Sequence, residues 1–138
     1  MKKYIFLISH GKLAEGMLSS LQMLIGETDG VTAYGLMPGE NPDTIAASIE
    51  TFLLDHAEDR IFILADLLGG SVSNAATRLS LHSNVRMVNG MNLASVVSIF
   101  LAPTDISDEE LEDLLAEARD GLSLVSFVLE TEEDDEIL

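Results

Sequence analysis

Apolar residues along this chain alternate between two rhythms. Short unbroken runs, residues 4–8 (Tyr-Ile-Phe-Leu-Ile) and Ile61 to Ala65 behind Arg60, have the length and β-branched or aromatic content of strands buried on both faces. After the first run, Leu13, Met17, Leu18, Leu21, Leu24 and Ile25 recur at the spacing of one helical face. Residues 31–36 form a shorter strand. Asn41-Pro42-Asp43 then starts a helix, with Asn41 as N-cap and Pro42 at the first position, where a missing N–H costs nothing. Ile45, Ile49, Phe52 and Leu53 lie on its inner face. A helix with Ala75, Ala76 and Leu79 inward follows the second run, residues 85–88 form a fourth strand, and residues 92–101 a further helix that Pro103 ends. Ser107-Asp108-Glu109-Glu110 reads as a capping box in which Glu110 reaches back to the serine N–H, opening a helix that ends near Gly121. Residues 122–129 are an apolar-rich last strand with no helix after it.

Four strand–helix units in succession require a mainly parallel sheet with helices on both faces, an α/β three-layer sandwich. In the strand order 2-1-3-4, the crevice of such a sheet opens between strands one and three, at their carboxyl ends. Those ends carry His10 and Asp66, 56 positions apart in the chain. The last strand is apolar on both alternating faces and so calls for cover on both sides. A second copy of the chain supplies that cover most simply; an antiparallel edge strand within one monomer is the alternative.

The topology thus singles out one candidate site. An imidazole beside a carboxylate has one nitrogen fixed as donor and the other left with a free lone pair, usable as nucleophile or base. Gly69-Gly70-Ser71 enters the next helix, where glycines allow close approach and unpaired N–H groups face an anion. Together these residues suit reversible capture of a phosphoryl group on nitrogen. Ser9, Gly11, Asn89 and Asn92 are candidates for the crevice rim, with Met37 and Met91 as contact residues beside it. His56 and His82 fall near helix C-termini, where a charged imidazole suits the dipole, and read as ordinary structural residues. His10 and Asp66 supply two metal ligands and no third is evident, so neither a metal nor another cofactor is expected.

Composition changes the picture in three ways. With 138 residues, 47% of them hydrophobic, the chain can bury one core; the expected domain covers residues 1–130, followed by an acidic, disordered tail over 131–138. The absence of cysteine excludes disulfides, thiolate metal sites and a cysteine nucleophile, and accords with a reducing cytoplasm. The net charge of −17 excludes a basic nucleic-acid footprint, and fourteen of the twenty-four acids lie beyond residue 104, with Arg119 the single base there. The start Met1-Lys2-Lys3 imitates a signal peptide, but the apolar run after it is too short, and no later run is long enough to span a bilayer. The expected compartment is the cytoplasm.

Three motifs carry a closer likeness. Ser9-His10-Gly11 with Ala14 and Gly16, Asp66-Leu67-Leu68-Gly69-Gly70-Ser71 with Asn74, and Val88-Asn89-Gly90-Met91-Asn92-Leu93 together resemble the IIA domain of the mannose family of the bacterial phosphoenolpyruvate-dependent sugar phosphotransferase system, over roughly residues 2–129. The resemblance implies that His10 is phosphorylated by the carrier protein HPr and passes the group to a IIB domain, with the membrane components IIC and IID reached indirectly. It implies that Asp66 holds the imidazole, that Ser71 lies near the phosphate, and that the protein is a homodimer whose C-terminal strand crosses to the partner's sheet. The family's usual Gly-Gly-Ser-Pro is broken by Val72, which implies a less rigid loop. No IIB domain is fused to this chain, so the expected acceptor is a separate polypeptide. A phosphohistidine phosphatase would need an arginine beside the histidine, where Ser9 stands. A flavodoxin-like nucleotide- or anion-binding module would show a longer glycine-rich loop. A regulatory phosphoacceptor domain keeps the same chemistry for another purpose.

Overall fold

The computed structural model describes residues 1–127. Four strands, β1 (Lys3–His10), β2 (Val31–Leu36), β3 (Arg60–Ala65) and β4 (Val85–Asn89), form one sheet in the order β2-β1-β3-β4 with every neighbouring pair parallel. The helices are α1 (Leu13–Ile25), α2 (Pro42–Leu53), α3 (Ser71–Ala76), α4 (Leu93–Leu101) and α5 (Asp108–Asp120). The architecture is the expected α/β sandwich with strand order 2-1-3-4.

Alternation along the two central strands sorts the core into two layers. Phe6, Ile8, Ile61, Ile63 and Ala65 face α2 and α3, packing with Ile45, Ile49, Val72, Ala76 and Leu79. Ile5, Leu7, Phe62 and Leu64 face the other way, against Ala14, Leu21, Val96, Ile99 and Leu111 from α1, α4 and α5. This two-sided burial explains why the central strands read as unbroken apolar runs.

Local signals behave largely as their chemistry dictates. The Asn41 side chain accepts from the Asp43 N–H at 2.9 Å, with Pro42 opening α2. Ser107 accepts from the Glu110 N–H at 3.1 Å, but Glu110 does not reach back to the serine N–H; its carboxylate instead accepts from the Ser107 hydroxyl at 2.9 Å. The reciprocal box forms one helix earlier, between Asn92 and Ser95. The helix expected after β3 is short: α3 gives way to a 3-10 segment, Thr77–Leu81, whose Leu79 still reaches the core.

Among the described residues the expected last strand is not formed within the single chain. Residues 122–127 have no strand pairing, and Leu122, Leu124, Val125 and Phe127 are each at least 80% exposed. The end of that strand and the acidic tail lie outside the described residues.

Candidate functional site

The site is assembled by strand register. Ile8 pairs with Ala65, and the Asp66 N–H donates to the Ile8 carbonyl at 3.2 Å, the last rung between β1 and β3. The next rung would run from the His10 N–H to the main-chain carbonyl of residue 66. The Asp66 carboxylate takes that place: its Oδ2 accepts from the His10 N–H at 2.9 Å and from the His10 ring at Nδ1, 2.8 Å away. One oxygen therefore fixes both the backbone and the ring of the same residue. Its partner oxygen, Oδ1, is buried with no hydrogen-bond partner. A carboxylate can only accept, so Nδ1 carries the proton and Nε2 keeps its lone pair. Nε2 lies 3.1 Å from the Ser71 hydroxyl, which donates to it. The Asp66 side chain is 9% exposed and that of His10 45%, so a sunken acid presents an open imidazole.

The loop between β3 and α3 is shaped to receive that ring. Leu67 to Gly70 close a turn, with the Gly70 N–H donating to the Leu67 carbonyl at 3.1 Å and Gly69 at φ +82°. That sign of φ at the third turn position calls for glycine. A Cβ on Gly70 would lie 3.0 Å from His10 Cε1, so a bare α-carbon lets the imidazole rest against the loop. Gly70 is also the N-cap of α3 and contributes no side-chain hydrogen bond, leaving the helix start open beside Ser71. Leu67 and Leu68 stand out from the loop, 60% and 76% exposed.

The remaining candidates separate. Ser9 is fully buried beneath the site rather than on its rim, and its hydroxyl accepts from the Ala14 N–H at 2.8 Å, pinning α1 to the turn that carries His10. Gly11 donates to the Leu36 carbonyl at 2.7 Å, tying that turn to β2. Asn92 caps α4 and donates to the Ala118 carbonyl at 2.8 Å, so its side chain is engaged in joining α4 to α5. Asn89 accepts from the Ser73 hydroxyl. Met91 is buried in the core, whereas Met37 is exposed. Far from this crevice, His56 stacks on Phe52 with ring centroids 3.8 Å apart and meets Asp59 through Nδ1 at 2.8 Å. Among the described residues no group of three or more His, Cys, Asp or Glu is placed to hold a metal ion. None of the helices there is long and apolar enough to cross a membrane. Reading the sequence did not find Ser73; its position two residues beyond Ser71, inside a helix, was the available signal.

The chain is thus an open parallel α/β protein in which a histidine, a carboxylate and a hydroxyl converge at the switch point of the sheet. Residues 4–118 match the family described as PTS system fructose IIA component, and the chain belongs to that family. That places it among the IIA components of the sugar phosphotransferase system, in phosphoryl transfer. It is 34% identical over 104 residues to the sorbose-specific EIIA component of Klebsiella pneumoniae, covering 75% of this chain and 76% of that protein. It is 32% identical over 111 residues to the mannose-specific EIIAB component of Escherichia coli K12, covering 78% of this chain and a 33% share of that longer protein. Among solved structures, the mannose/sorbose specific IIA subunit from Enterococcus faecalis superposes with a TM-score of 0.81 at 26% identity, covering 95% of this chain and 100% of that one. A PTS IIA protein associated with the fucose utilization operon of Streptococcus pneumoniae gives 0.78 at 29% identity, covering 90% and 93%.

Proposed function

We propose that His10 is a phosphoryl relay, taking the group from phosphorylated HPr onto Nε2 and passing it to a IIB component during sugar uptake. The observation that carries this reading is the division of labour on one ring: Nδ1 is held by Asp66 at 2.8 Å while Nε2 keeps a lone pair at an open surface. In the forward step that lone pair attacks phosphorus and a new N–P bond forms. The N–P bond to the donor histidine breaks, and its electron pair returns to the donor ring. The Nδ1 proton stays where it is, and the positive charge that develops on the ring is balanced by Asp66. The Ser71 hydroxyl turns from Nε2 to a phosphoryl oxygen, joined by N–H groups at the α3 start. Transfer to IIB reverses each move. The proposal sets the protein in the cytoplasm, requires no cofactor, and gives it no nucleic-acid partner.

The same proposal includes a homodimer. Four large apolar side chains at residues 122–127 stand in water in the single chain, and β2 and β4 are the edges of the described sheet. Residues 122–129 of each copy would then pair with the sheet of the other.

The test is direct. Incubation with phosphoenolpyruvate, enzyme I and HPr adds one acid-labile phosphate per chain, and none to His10→Ala. Acceptance of phosphate by that variant overturns the assignment.

A further inference from the structure

The helix that presents Ser71 has little to hold it in place by itself. It has six residues, its N-cap is a glycine without a capping side chain, and its second residue is Val72. A helix this short takes its orientation from tertiary contacts rather than from its own hydrogen bonds. Two of its side chains, Val72 and Ala76, are buried against the sheet, and such apolar contacts resist separation better than sliding. Asn74 folds back on the loop, donating to the Gly69 carbonyl at 3.1 Å. The directional contact between α3 and the next strand comes from Ser73, which is 1% exposed and donates its hydroxyl to Oδ1 of Asn89 at the end of β4.

We infer that Asn89 is a positioning residue for the relay: through Ser73 it fixes the first turn of α3, and so holds the Ser71 hydroxyl against Nε2 of His10. Asn89 itself makes no hydrogen bond to His10, Asp66 or Ser71 among the described residues, so any effect on the chemistry must pass through the helix. Removing its side chain strands a buried hydroxyl. The nearest in-helix substitute for Ser73 is the carbonyl four residues back, that of Gly69, which already accepts from Asn74. The competition falls on the loop that cradles the imidazole. The bond between Asn89 and Ser73 thus supplies, from a neighbouring strand, rigidity that Val72 does not build into the turn.

This inference rests on the relay reading, and the experiment separates the two. Long-range proton–nitrogen spectra of the unphosphorylated full chain report the hydrogen bond at Nε2 of His10 without any donor protein. Asn89→Ala shifts the Nε2 resonance in the same direction as Ser71→Ala, and Ser73→Ala, which keeps the packing and removes the hydroxyl, does the same. Transfer from phosphorylated HPr falls roughly three- to tenfold in Asn89→Ala, well inside the roughly hundredfold that a displacement of about 1 Å can cost. In a Ser71→Ala background the Asn89 substitution has almost no further effect on transfer. An Nε2 signal that moves in neither Asn89→Ala nor Ser73→Ala overturns the inference. So does an Asn89→Ala loss of equal size in both backgrounds. Should the unaltered chain accept no phosphate, the relay reading fails while the spectra still decide the coupling.

Discussion

Replacing Asp66 by asparagine removes one charge and leaves the shape of the side chain nearly unchanged, which makes it the sharpest probe of the site. The asparagine oxygen can occupy the place of Oδ2 and keep both bonds to His10. Its NH2 then falls where Oδ1 now lies, equally buried and without a partner, so one unpaired polar group replaces another and the fold is kept. The catalytic cost is separate. Unit charges about 4 Å apart in a partly shielded site attract by about 4 kcal/mol. With His10 45% exposed, solvent screening halves that to about 2 kcal/mol, lost when the ring becomes positive on phosphorylation. At about 1.4 kcal/mol per factor of ten, transfer slows about thirtyfold. A rapid-quench time course with phosphorylated HPr at saturating concentration measures the step. Thermal unfolding followed alongside separates a slow enzyme from an unfolded one. Transfer within a factor of about three of the unaltered protein, in a variant that remains folded, refutes the argument that the carboxylate charge matters.

Other expectations concern the loop, the assembly and acid stability. Gly70→Ala forces His10 Cε1 away by a few tenths of an ångström; transfer slows several-fold with the unfolding temperature nearly unchanged, as paired kinetic and melting measurements can check. Deletion of residues 121–138 abolishes dimerisation and lowers stability together, whereas removing residues 132–138 does neither; sedimentation of the full chain as a monomer at micromolar concentration refutes the dimer. The hydrogen bond from His56, with a further one from the Lys2 N–H, holds the Asp59 carboxyl below its ordinary value of 3.8. A carboxyl lowered in the folded state contributes stability in full above its unfolded value and loses it as pH falls through its folded value. Asp59→Asn therefore lowers the unfolding temperature at neutral pH, and the difference from the unaltered protein closes as the pH falls past the ordinary carboxyl value and through the lowered one.

Much of the site was legible because its geometry follows from topology. His10 and Asp66 are distant in sequence, yet a parallel sheet in the order 2-1-3-4 must bring the ends of β1 and β3 together. Sequence reasoning assigned residues 4–8 to the first strand; the strand runs on to His10 because Ser9 and His10 pair with Gly35 and Leu36 of β2, while on the β3 side an oxygen of Asp66 takes the His10 N–H, a substitution that no residue pattern announces. Asn92 misled for a related reason. An asparagine opening a helix is a cap as readily as a rim residue, and the preference depends on Ser95 and on the α5 carbonyl it also meets. Ser73 was invisible because its partner, Asn89, lies 16 residues on at the end of a strand. The apolar pattern of residues 122–129 signalled a strand, but a strand needs a neighbour, and the single chain offers none to the described part of that segment.

The asymmetry of the His10 ring has a kinetic consequence. With Nδ1 occupied by Asp66 from below, a single nitrogen edge faces outward, and any donor and any acceptor must reach phosphorus along nearly the same line. Two proteins cannot stand there at once. A relay of this form works by double displacement: reciprocal rate plots at different fixed acceptor concentrations run parallel, and an excess of unphosphorylated donor inhibits by occupying the seat its rival needs. The fraction of such a domain that carries a phosphoryl group is then set by the balance between supply from the donor and removal by the acceptor.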